Sequence, residues 1–121
     1  MFRFHYDAVA NRITVHVGGF WTVTTVREFA AAAGNFAQET RAIRDDYDVL
    51  IDSRDFPVQS NEVADLLPHI SEAGLSLTSG RVASVAASHL NKMQAERTHA
   101  HPRFAVFLTV TEAEAWLADK G

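Results

Sequence analysis

The chain contains no cysteine, and this absence excludes several kinds of chemistry at once. Disulfide bonds, thiolate zinc sites and cysteine nucleophiles are all ruled out, which is the pattern expected of a cytoplasmic protein. Strong charge of one sign is also lacking, because 11 basic and 15 acidic residues are spread along the chain and give a net charge of −4. No stripe of lysine and arginine is present, so we expect no nucleic-acid partner.

Long apolar runs are missing as well, and no stretch approaches the roughly 20 apolar residues that a membrane-spanning helix requires. The N-terminal stretch MFRFHY lacks the apolar core of a secretory signal, so we expect a cytoplasmic location. What remains is ordinary for a globular protein: 121 residues, of which 47% are hydrophobic and 21% are charged. We therefore predict one domain over residues 1–121 with a hydrophobic core of its own.

The centre of the predicted fold is the stretch YDVLIDSRDFPVQSN, which runs from Tyr47 to Asn61. An apolar strand at Tyr47–Asp52 leads into a polar turn at residues 52–55, and Ser60 then begins a helix. The apolar run is continuous, as expected for a strand that is covered on both faces of its sheet. Sites in open α/β sheets lie where such strands end. We therefore expect functional residues in and after this turn.

Hydrophobic spacing predicts the other elements. Alternating apolar residues indicate an antiparallel N-terminal hairpin, and strands are predicted at Arg81–Ala86 and Arg103–Leu108. Four helices are predicted. The first begins with a capping box at Thr25 and Glu28, and its Gly34 packs closely on the sheet. The second begins at Ser60 and is kinked or divided by Pro68. The third is capped by Ser88 and points Leu90 and Met93 inward, and the C-terminal helix is capped by Thr111 and held by Trp116 and Leu117. The order β-β-α-β-α-β-α-β-α indicates an α/β fold with a mostly parallel sheet and packed helices.

Three stretches of the chain carry a resemblance to a known family: Val15–Thr25, Val49–Asp52 leading to Ser60, and a C-terminal part with Arg81-Val82-Ala83, Phe107 and Glu112–Leu117. Together with the order of elements, they resemble the STAS fold of anti-sigma-factor antagonists and sulphate-transporter tails. The similarity is greatest to the stand-alone bacterial branch called SpoIIAA-like. The resemblance implies a STAS-like regulatory or binding domain, and it extends more distantly to the CRAL-TRIO lipid-binding fold.

In anti-sigma-factor antagonists, a serine within an Asp-Ser-Ser-Gly type of motif is phosphorylated by a partner kinase, and this switches binding off. The corresponding position here is Ser60 or Asn61, but the chain reads QSNE, without the acidic residue, the second serine or the glycine. Ser60 therefore has two interpretations. It is a helix cap, or it is a phosphosite whose phosphate the helix N-terminus would stabilise.

Polar residues after the central strand form a second group of candidates. Asp52, Arg54 and Asp55 support acid–base chemistry if they are buried, and otherwise they form a solvated ion pair. His99 and His101 have His-x-His spacing, but no third ligand stands at a recognised distance. We predict neither a metal nor a cofactor.

Phe20 and Trp21 are large apolar residues in a predicted loop. They either cap the core or form the lip of a pocket or a self-association patch. His69, on the second predicted helix, either lines a pocket or lies at the surface.

The leading hypothesis is a non-enzymatic regulatory or binding domain, which acts through a protein contact or a small apolar ligand. One alternative is a phospho-switch partner that is regulated at Ser60, and another is a small enzyme that uses Asp52, Asp55 or His69. A homodimer is compatible with each of these functions. The candidate pocket or interface residues are Phe20, Trp21, Asp52, Ser53, Arg54, Asp55, Ser60, Asn61 and His69.

Overall fold

The computed structural model describes residues 1–119, apart from the side chain of Thr98, and shows an α/β fold. The elements are β1 (Phe2–Asp7), β2 (Arg12–Gly18), α1 (Val23–Ile43), β3 (Asp48–Asp55), α2 (Asn61–Ala64), α3 (Leu67–Ser76), β4 (Val82–Val85), α4 (His89–Thr98), β5 (Phe104–Phe107) and α5 (Val110–Ala118). The strands form one sheet in the order β1-β2-β3-β4-β5. β1 is antiparallel to β2, and all other neighbours are parallel. The predicted fold class is confirmed.

The hairpin between β1 and β2 closes at Asn11, whose φ of 53° lies in the left-handed region. Asparagine adopts this conformation more readily than most residues. The Asn11 side chain is also held at both ends, because Tyr6 Oη donates to its Oδ1 at 2.8 Å and its Nδ2 donates to Asp46 Oδ1 at 2.9 Å. This contact fixes the hairpin to the start of β3.

The two faces of the sheet are covered differently. On one face, Ile13, Val15 and Val17 of β2 form a core with Val26 of α1 and Val63 of α2. On the other face, α5 packs against β3, β4 and β5. This second core is formed by Leu50, Ala83, Val85, Ala113 and Leu117. The predicted role of Leu117 in holding the C-terminal helix is thereby confirmed.

Pro68 divides the second predicted helix in two, as expected. α2 ends at Ala64, and Pro68 lies in the first turn of α3. The missing amide of proline is harmless there, because the first turn of a helix has no carbonyl acceptors for its amides. Ser60 caps α2 and Ser88 caps α4, so both of these helix starts are confirmed.

Two other helix starts were predicted at the wrong residue. Thr22, not Thr25, caps α1, and Thr109, not Thr111, caps α5. In both cases the helix extends further toward its N-terminus, up to a threonine with an extended backbone. The Thr109 hydroxyl accepts from the Glu112 amide at 3.1 Å and donates to the Glu112 carboxylate at 2.9 Å. These hydrogen bonds stabilise a helix start at Thr109 relative to a start at Thr111.

The predicted turn at residues 52–55 is also wrong, because β3 continues to Asp55. Pairing with β2 extends past an irregularity in register to Gly18 and Asp55, and the Gly19 amide donates to the Asp55 carbonyl at 3.0 Å. The polar residues of this segment therefore lie on an extended strand. None of the helices within residues 1–119 combines the length and the apolarity needed to cross a membrane.

Two glycines give opposite predictions for replacement by alanine. At Gly80 a Cβ would overlap the backbone carbonyl of Tyr47 and lie 2.8 Å from an Asp48 carboxylate oxygen. Because backbone at the start of the central strand has little freedom to move, Gly80→Ala should lower the free energy of unfolding by about 3 kcal/mol.

The matched control is Gly34 in α1, where an added Cβ meets nothing within 4 Å, so the predicted close packing at this glycine is wrong. Gly34→Ala should raise the free energy of unfolding by about 1 kcal/mol, because alanine favours a helix interior. Urea denaturation of both variants tests the pair. A shift of the same sign in the two variants would contradict these assignments.

Candidate functional site

A cavity of about 380 Å³ lies between the sheet and the helices α1, α3 and α4, and we call it the sheet–helix cavity. Alternate residues of the strands line it from below, including Ile13, Val15, Val49, Ile51, Val82 and Phe104. Residues of the helices line it from above, including Phe29, Ala33, Phe36, Leu67, Ile70 and Ala95. Most of this surface is therefore apolar.

The cavity exists because small residues face one another across the layers. The helices contribute Ala33, Gly74 and Ala95, and the sheet contributes Ser84 and Ala86. Protein interiors are normally filled to crystal-like density. Short side chains on both sides of an interface leave space that the backbone of a helix cannot close.

The cavity opens to the surface where its lining residues are exposed. These residues are Val58 in the segment after β3, Ala64 of α2, Gly74 of α3 and Gln94 of α4. A ligand would enter past them.

The face of α4 that lines the cavity is not the face that carries its large apolar residues. Its apolar residues Leu90 and Met93 are 62% and 52% exposed, so the prediction that they point inward is wrong. Asn91 and Ala95 line the cavity instead, and they lie on the same face of the helix because they are four residues apart. α4 therefore covers the cavity without filling it.

Arg103 holds together the end of the cavity near the start of β5. Its guanidinium group donates hydrogen bonds of 2.7–2.9 Å to the backbone carbonyls of Leu75, Thr78 and Gly80. The Leu75 carbonyl is in the last turn of α3, and the other two are in the loop between α3 and β4. Leu75 itself lines the cavity, so this arginine ties a cavity wall to the sheet.

Several polar side chains in the lining are already satisfied within the protein. Gln59 accepts from the Trp21 amide at 2.8 Å and donates to the carbonyls of Gly19 and Pro57 at 3.0 and 2.7 Å. The Ser53 hydroxyl donates to the Val85 carbonyl at 2.7 Å. These groups hold the loop before α1 and the end of β3 in place, and their hydrogen-bonding capacity is largely used.

His99 is different. It follows the last turn of α4, its ring lies against Phe104 with 5.4 Å between centroids, and it lines the cavity. Its Nδ1 is buried and has no hydrogen-bond partner. Burial lowers the pKa of His99 below the ordinary value of 6.5, because an imidazolium ion is poorly solvated there.

The lowered pKa of His99 predicts a pH dependence of stability. The unfolded chain binds a proton at a higher pH than the native chain, so the free energy of unfolding should fall as the pH drops below about 6.5. His99→Gln should lose less stability between about pH 7.5 and about pH 5 than the wild type does. The matched control is His89→Gln, at an exposed position of the same helix. Equal losses in the wild type and His99→Gln, measured by urea denaturation, would contradict the assignment.

The charged cluster after the central strand is an ion pair on the opposite face of the sheet from the cavity. Arg54 Nε and Nη2 donate to the two Asp52 carboxylate oxygens at 2.9 and 2.8 Å. His16 Nδ1 lies 3.4 Å from the same carboxylate. The hydrogen bond from Arg54 is the main cause that lowers the pKa of Asp52, so this carboxylate is ionised and engaged near neutral pH. Asp55 is exposed, and its negative charge is a lesser cause, after Asp52, of the raised pKa of Arg54.

The other polar candidates lie at the surface. Ser60 is exposed, and its hydroxyl accepts from the Val63 amide at 3.4 Å. Asn61 and His69 are also exposed, and His69 is on α3, across the sheet from Asp52. The structure therefore does not bring Asp52, Asp55 and His69 together. Within the described chain, no three histidine or acidic side chains are grouped to hold a metal ion.

Phe20 and Trp21 have opposite environments. Trp21 is 6% exposed, belongs to the core and lines the cavity, whereas Phe20 is 79% exposed. The Trp21 ring contacts those of Phe2, Phe29 and Phe56, with centroid distances of 5.0–5.9 Å. Of the candidate pocket or interface residues chosen from the sequence, only Trp21 and Ser53 line the cavity, and they are joined there by His99, which the sequence offered as a possible metal ligand.

The fold and the site define this protein as a single-sheet α/β domain with an apolar cavity under its helices. No family model matches the chain, and no curated protein is detectably similar to it in sequence.

Proposed function

We propose that this chain is a non-enzymatic binding domain that holds a small apolar molecule in the sheet–helix cavity. The observation that carries the proposal is the lining of the cavity. Among the described residues, no aspartate, glutamate, lysine or arginine lines this space of about 380 Å³. Small-molecule sites of about 300–1,000 Å³ with mostly apolar walls are typical of ligand-binding proteins.

The apolar walls of the cavity support the same proposal. The cavity opens to the surface, so water reaches these walls when no ligand is bound. Covering apolar surface is favourable by about 25 cal/mol per Å², so a ligand gains affinity from the apolar walls that it covers.

The size of the cavity indicates the size of the ligand. Liquid water takes up about 30 Å³ per molecule, so a space of 380 Å³ accommodates roughly a dozen non-hydrogen atoms of similar volume. This is the scale of a bicyclic aromatic molecule or a medium-length aliphatic chain. A full-length membrane lipid is larger than this space.

A regulatory role for this binding is part of the proposal. The order of elements supports a stand-alone relative of STAS domains, with the second helix divided at Pro68. The occupied Asp52 carboxylate also favours binding over catalysis, because a general base needs a free oxygen within reach of its substrate. A ligand bound under α4 would change the surface of this helix, and a partner protein would recognise the changed surface.

Titration with naphthalene tests the proposal, because this fluorescent molecule has a suitable size and no hydrogen-bonding group. At about 0.6 kcal/mol per atom, within the range observed for small ligands, its ten carbons should give a dissociation constant of tens of micromolar. Naphthalene should also raise the melting temperature in a concentration-dependent way. The absence of saturable binding up to the solubility of naphthalene would contradict the proposed function.

A further inference from the structure

The outer side of β1 is an unpaired strand edge. β1 is the first strand in the sheet order, and within residues 1–119 its only neighbouring strand is β2. It has six residues, pairs regularly with β2 and contains no proline or lysine, whereas β5 at the opposite edge has four residues. Long and regular edges of this kind pair readily with further strands. β1 is therefore the edge of this sheet that is better suited to accept another strand.

The hydrogen bonds to β2 show which backbone groups of β1 are free. The Met1 amino group donates to the Gly18 carbonyl at 3.0 Å, and the Gly18 amide donates to the Met1 carbonyl at 2.9 Å. Hydrogen-bonded and non-hydrogen-bonded pairs alternate along an antiparallel ladder, so every second residue from Met1 onward directs its backbone groups to β2. The residues between them direct their amides and carbonyls away from the sheet: Phe2, Phe4 and Tyr6.

The exposed side chains of β1 carry opposite charges at its two ends. Arg3, His5 and Asp7 alternate with aromatic residues that pack under α1, so they share the other face of the strand, and all three are exposed. Among the described residues, Arg3 forms no ion pair. Asp7 accepts from the amides of Val9 and Ala10 through Oδ1 alone. Because the two charges are placed symmetrically about His5, the strand is complementary in charge to an antiparallel copy of itself.

We propose that two copies of this chain associate edge to edge through antiparallel β1 strands, with the two His5 residues opposite each other at the twofold axis. Arg3 then lies opposite Asp7 of the second copy, and symmetry provides this pair twice. The sheets of the two copies join into one continuous sheet. Both copies use the same edge, so the contact closes as a dimer. This inference is independent of the ligand-binding function proposed above.

The backbone and the charges together select this register. Phe4 lies opposite Tyr6 of the second copy, and these outward-pointing residues exchange two backbone hydrogen bonds in each of the two symmetric pairs. A shift of two residues in either direction preserves backbone bonding, but it places Arg3 or Asp7 opposite His5 and loses both charge pairs. Arg3 and Asp7 form a non-hydrogen-bonded pair, in which the side chains are closest. Opposite charges and aromatic residues in cross-strand pairs both stabilise strand pairing.

The edge is held in place before a second copy binds. Phe4 stacks on Phe29 and Phe36 of α1, with ring centroids 5.7 and 5.4 Å apart. Tyr6 Oη donates to Asn11 Oδ1 at 2.8 Å. The side chains of Phe4 and Tyr6 remain only half-buried at the edge. A second copy would therefore cover apolar surface without rearranging the strand, and burial of this surface favours association.

Sedimentation analysis of the full chain at about pH 8, where histidine side chains are uncharged, tests the association. The wild type should form a dimer in a concentration-dependent way. Arg3→Asp places two carboxylates opposite each other in both pairs and should weaken the dimer at least about tenfold. Arg97→Asp is the matched control, because it makes the same charge change at an exposed position of α4, which packs against β5 at the far edge. A wild-type chain that stays monomeric up to about 1 mM would overturn the inference.

A mixture of two variants tests the register. Asp7→Arg alone places like charges opposite each other, so it should weaken the dimer as much as Arg3→Asp does. When the two variants are mixed, each pair again joins an arginine and an aspartate, and heterodimers should form about as tightly as the wild-type dimer. The hydrogen bonds that Asp7 makes to the turn are exposed, so water replaces the lost acceptor. Two folded variants that remain monomeric when mixed would overturn the proposed register.

Amide hydrogen exchange measured by NMR assigns the dimer contact to this edge. The amides of Phe4 and Tyr6 should be protected in the wild-type dimer and should exchange at least about tenfold faster in Arg3→Asp, whereas the His5 amide, bonded to β2, should be protected in both. A wild-type dimer in which the Phe4 and Tyr6 amides exchange freely would overturn the inference. The copies would then associate through another surface, such as the exposed Leu90 and Met93 of α4.

Discussion

Leucine in place of both Ala33 and Ala95 is expected to weaken naphthalene binding by about 100-fold. The two alanines line the cavity from α1 and α4, so leucine side chains would occupy the space that the ligand needs. Overpacking a filled site costs about 1–3 kcal/mol per substitution, and 1.4 kcal/mol corresponds to a factor of ten in affinity. The same double variant without ligand should be more stable by about 0.5–2 kcal/mol per substitution, because it fills a void.

The matched control places leucine at Ala31 of α1 and Ala73 of α3, which are exposed and do not line the cavity. This control should bind naphthalene as the wild type does. Tight binding by the Ala33→Leu, Ala95→Leu variant would show that the ligand binds elsewhere. A loss of stability in the variant would show that the space is smaller than the structure indicates.

Trp21→Ala is expected to lower the free energy of unfolding by about 3–5 kcal/mol, a large part of the stability of a domain of this size. Trp21 is buried among the rings of Phe2, Phe29 and Phe56. Its indole nitrogen also donates to the Gly18 carbonyl at 2.9 Å. Truncation removes these contacts and one of the two donors to the Gly18 carbonyl, which also accepts from the Met1 amino group at 3.0 Å.

The adjacent residue provides the control for Trp21. Phe20 is exposed, so Phe20→Ala should change the free energy of unfolding by no more than about 0.5 kcal/mol. Trp21→Phe should fall between the two, because it keeps an aromatic ring and loses the hydrogen bond to Gly18. Comparable losses for Phe20→Ala and Trp21→Ala in urea denaturation would contradict the described packing of this loop.

The order of strands and helices was predictable because it depends on local patterns. The alternation in Phe2–Tyr6 and Ile13–Val17 and the continuous run Val49–Ile51 each fit one kind of strand. Helix starts were less predictable, since threonines compete for the cap at two places. The threonine that caps the helix is the one at which the extended backbone of the preceding segment ends. The position of this end depends on strand pairing in the folded protein, so the local sequence does not determine it.

The site was harder to predict because no local pattern marks it. Polar residues such as Asp52, Ser60 and His69 attract attention in a sequence, yet the structure places them in an ion pair or at the surface. The cavity is formed by small residues from three helices and the sheet. Residues this far apart in the chain become neighbours only when the fold is complete.

One signal for the cavity was present in α4. Asn91, Ala95 and His99 are spaced by four residues and so share a helical face. This face is polar or small, whereas Leu90 and Met93 point elsewhere. A helix that turns such a face toward an apolar sheet leaves part of the layer between them unfilled.

Methyl NMR with naphthalene tests the central claim most directly. The chain has four isoleucines, and three of them, Ile13, Ile51 and Ile70, line the cavity, whereas Ile43 is exposed. Binding in the cavity predicts large ring-current shifts of the methyl signals from these three isoleucines. It predicts little change for Ile43 and for Leu117 in the second core. Shifts confined to Ile43 or to Leu117, or spread evenly over all these methyls, would contradict a ligand site between the sheet and its helices.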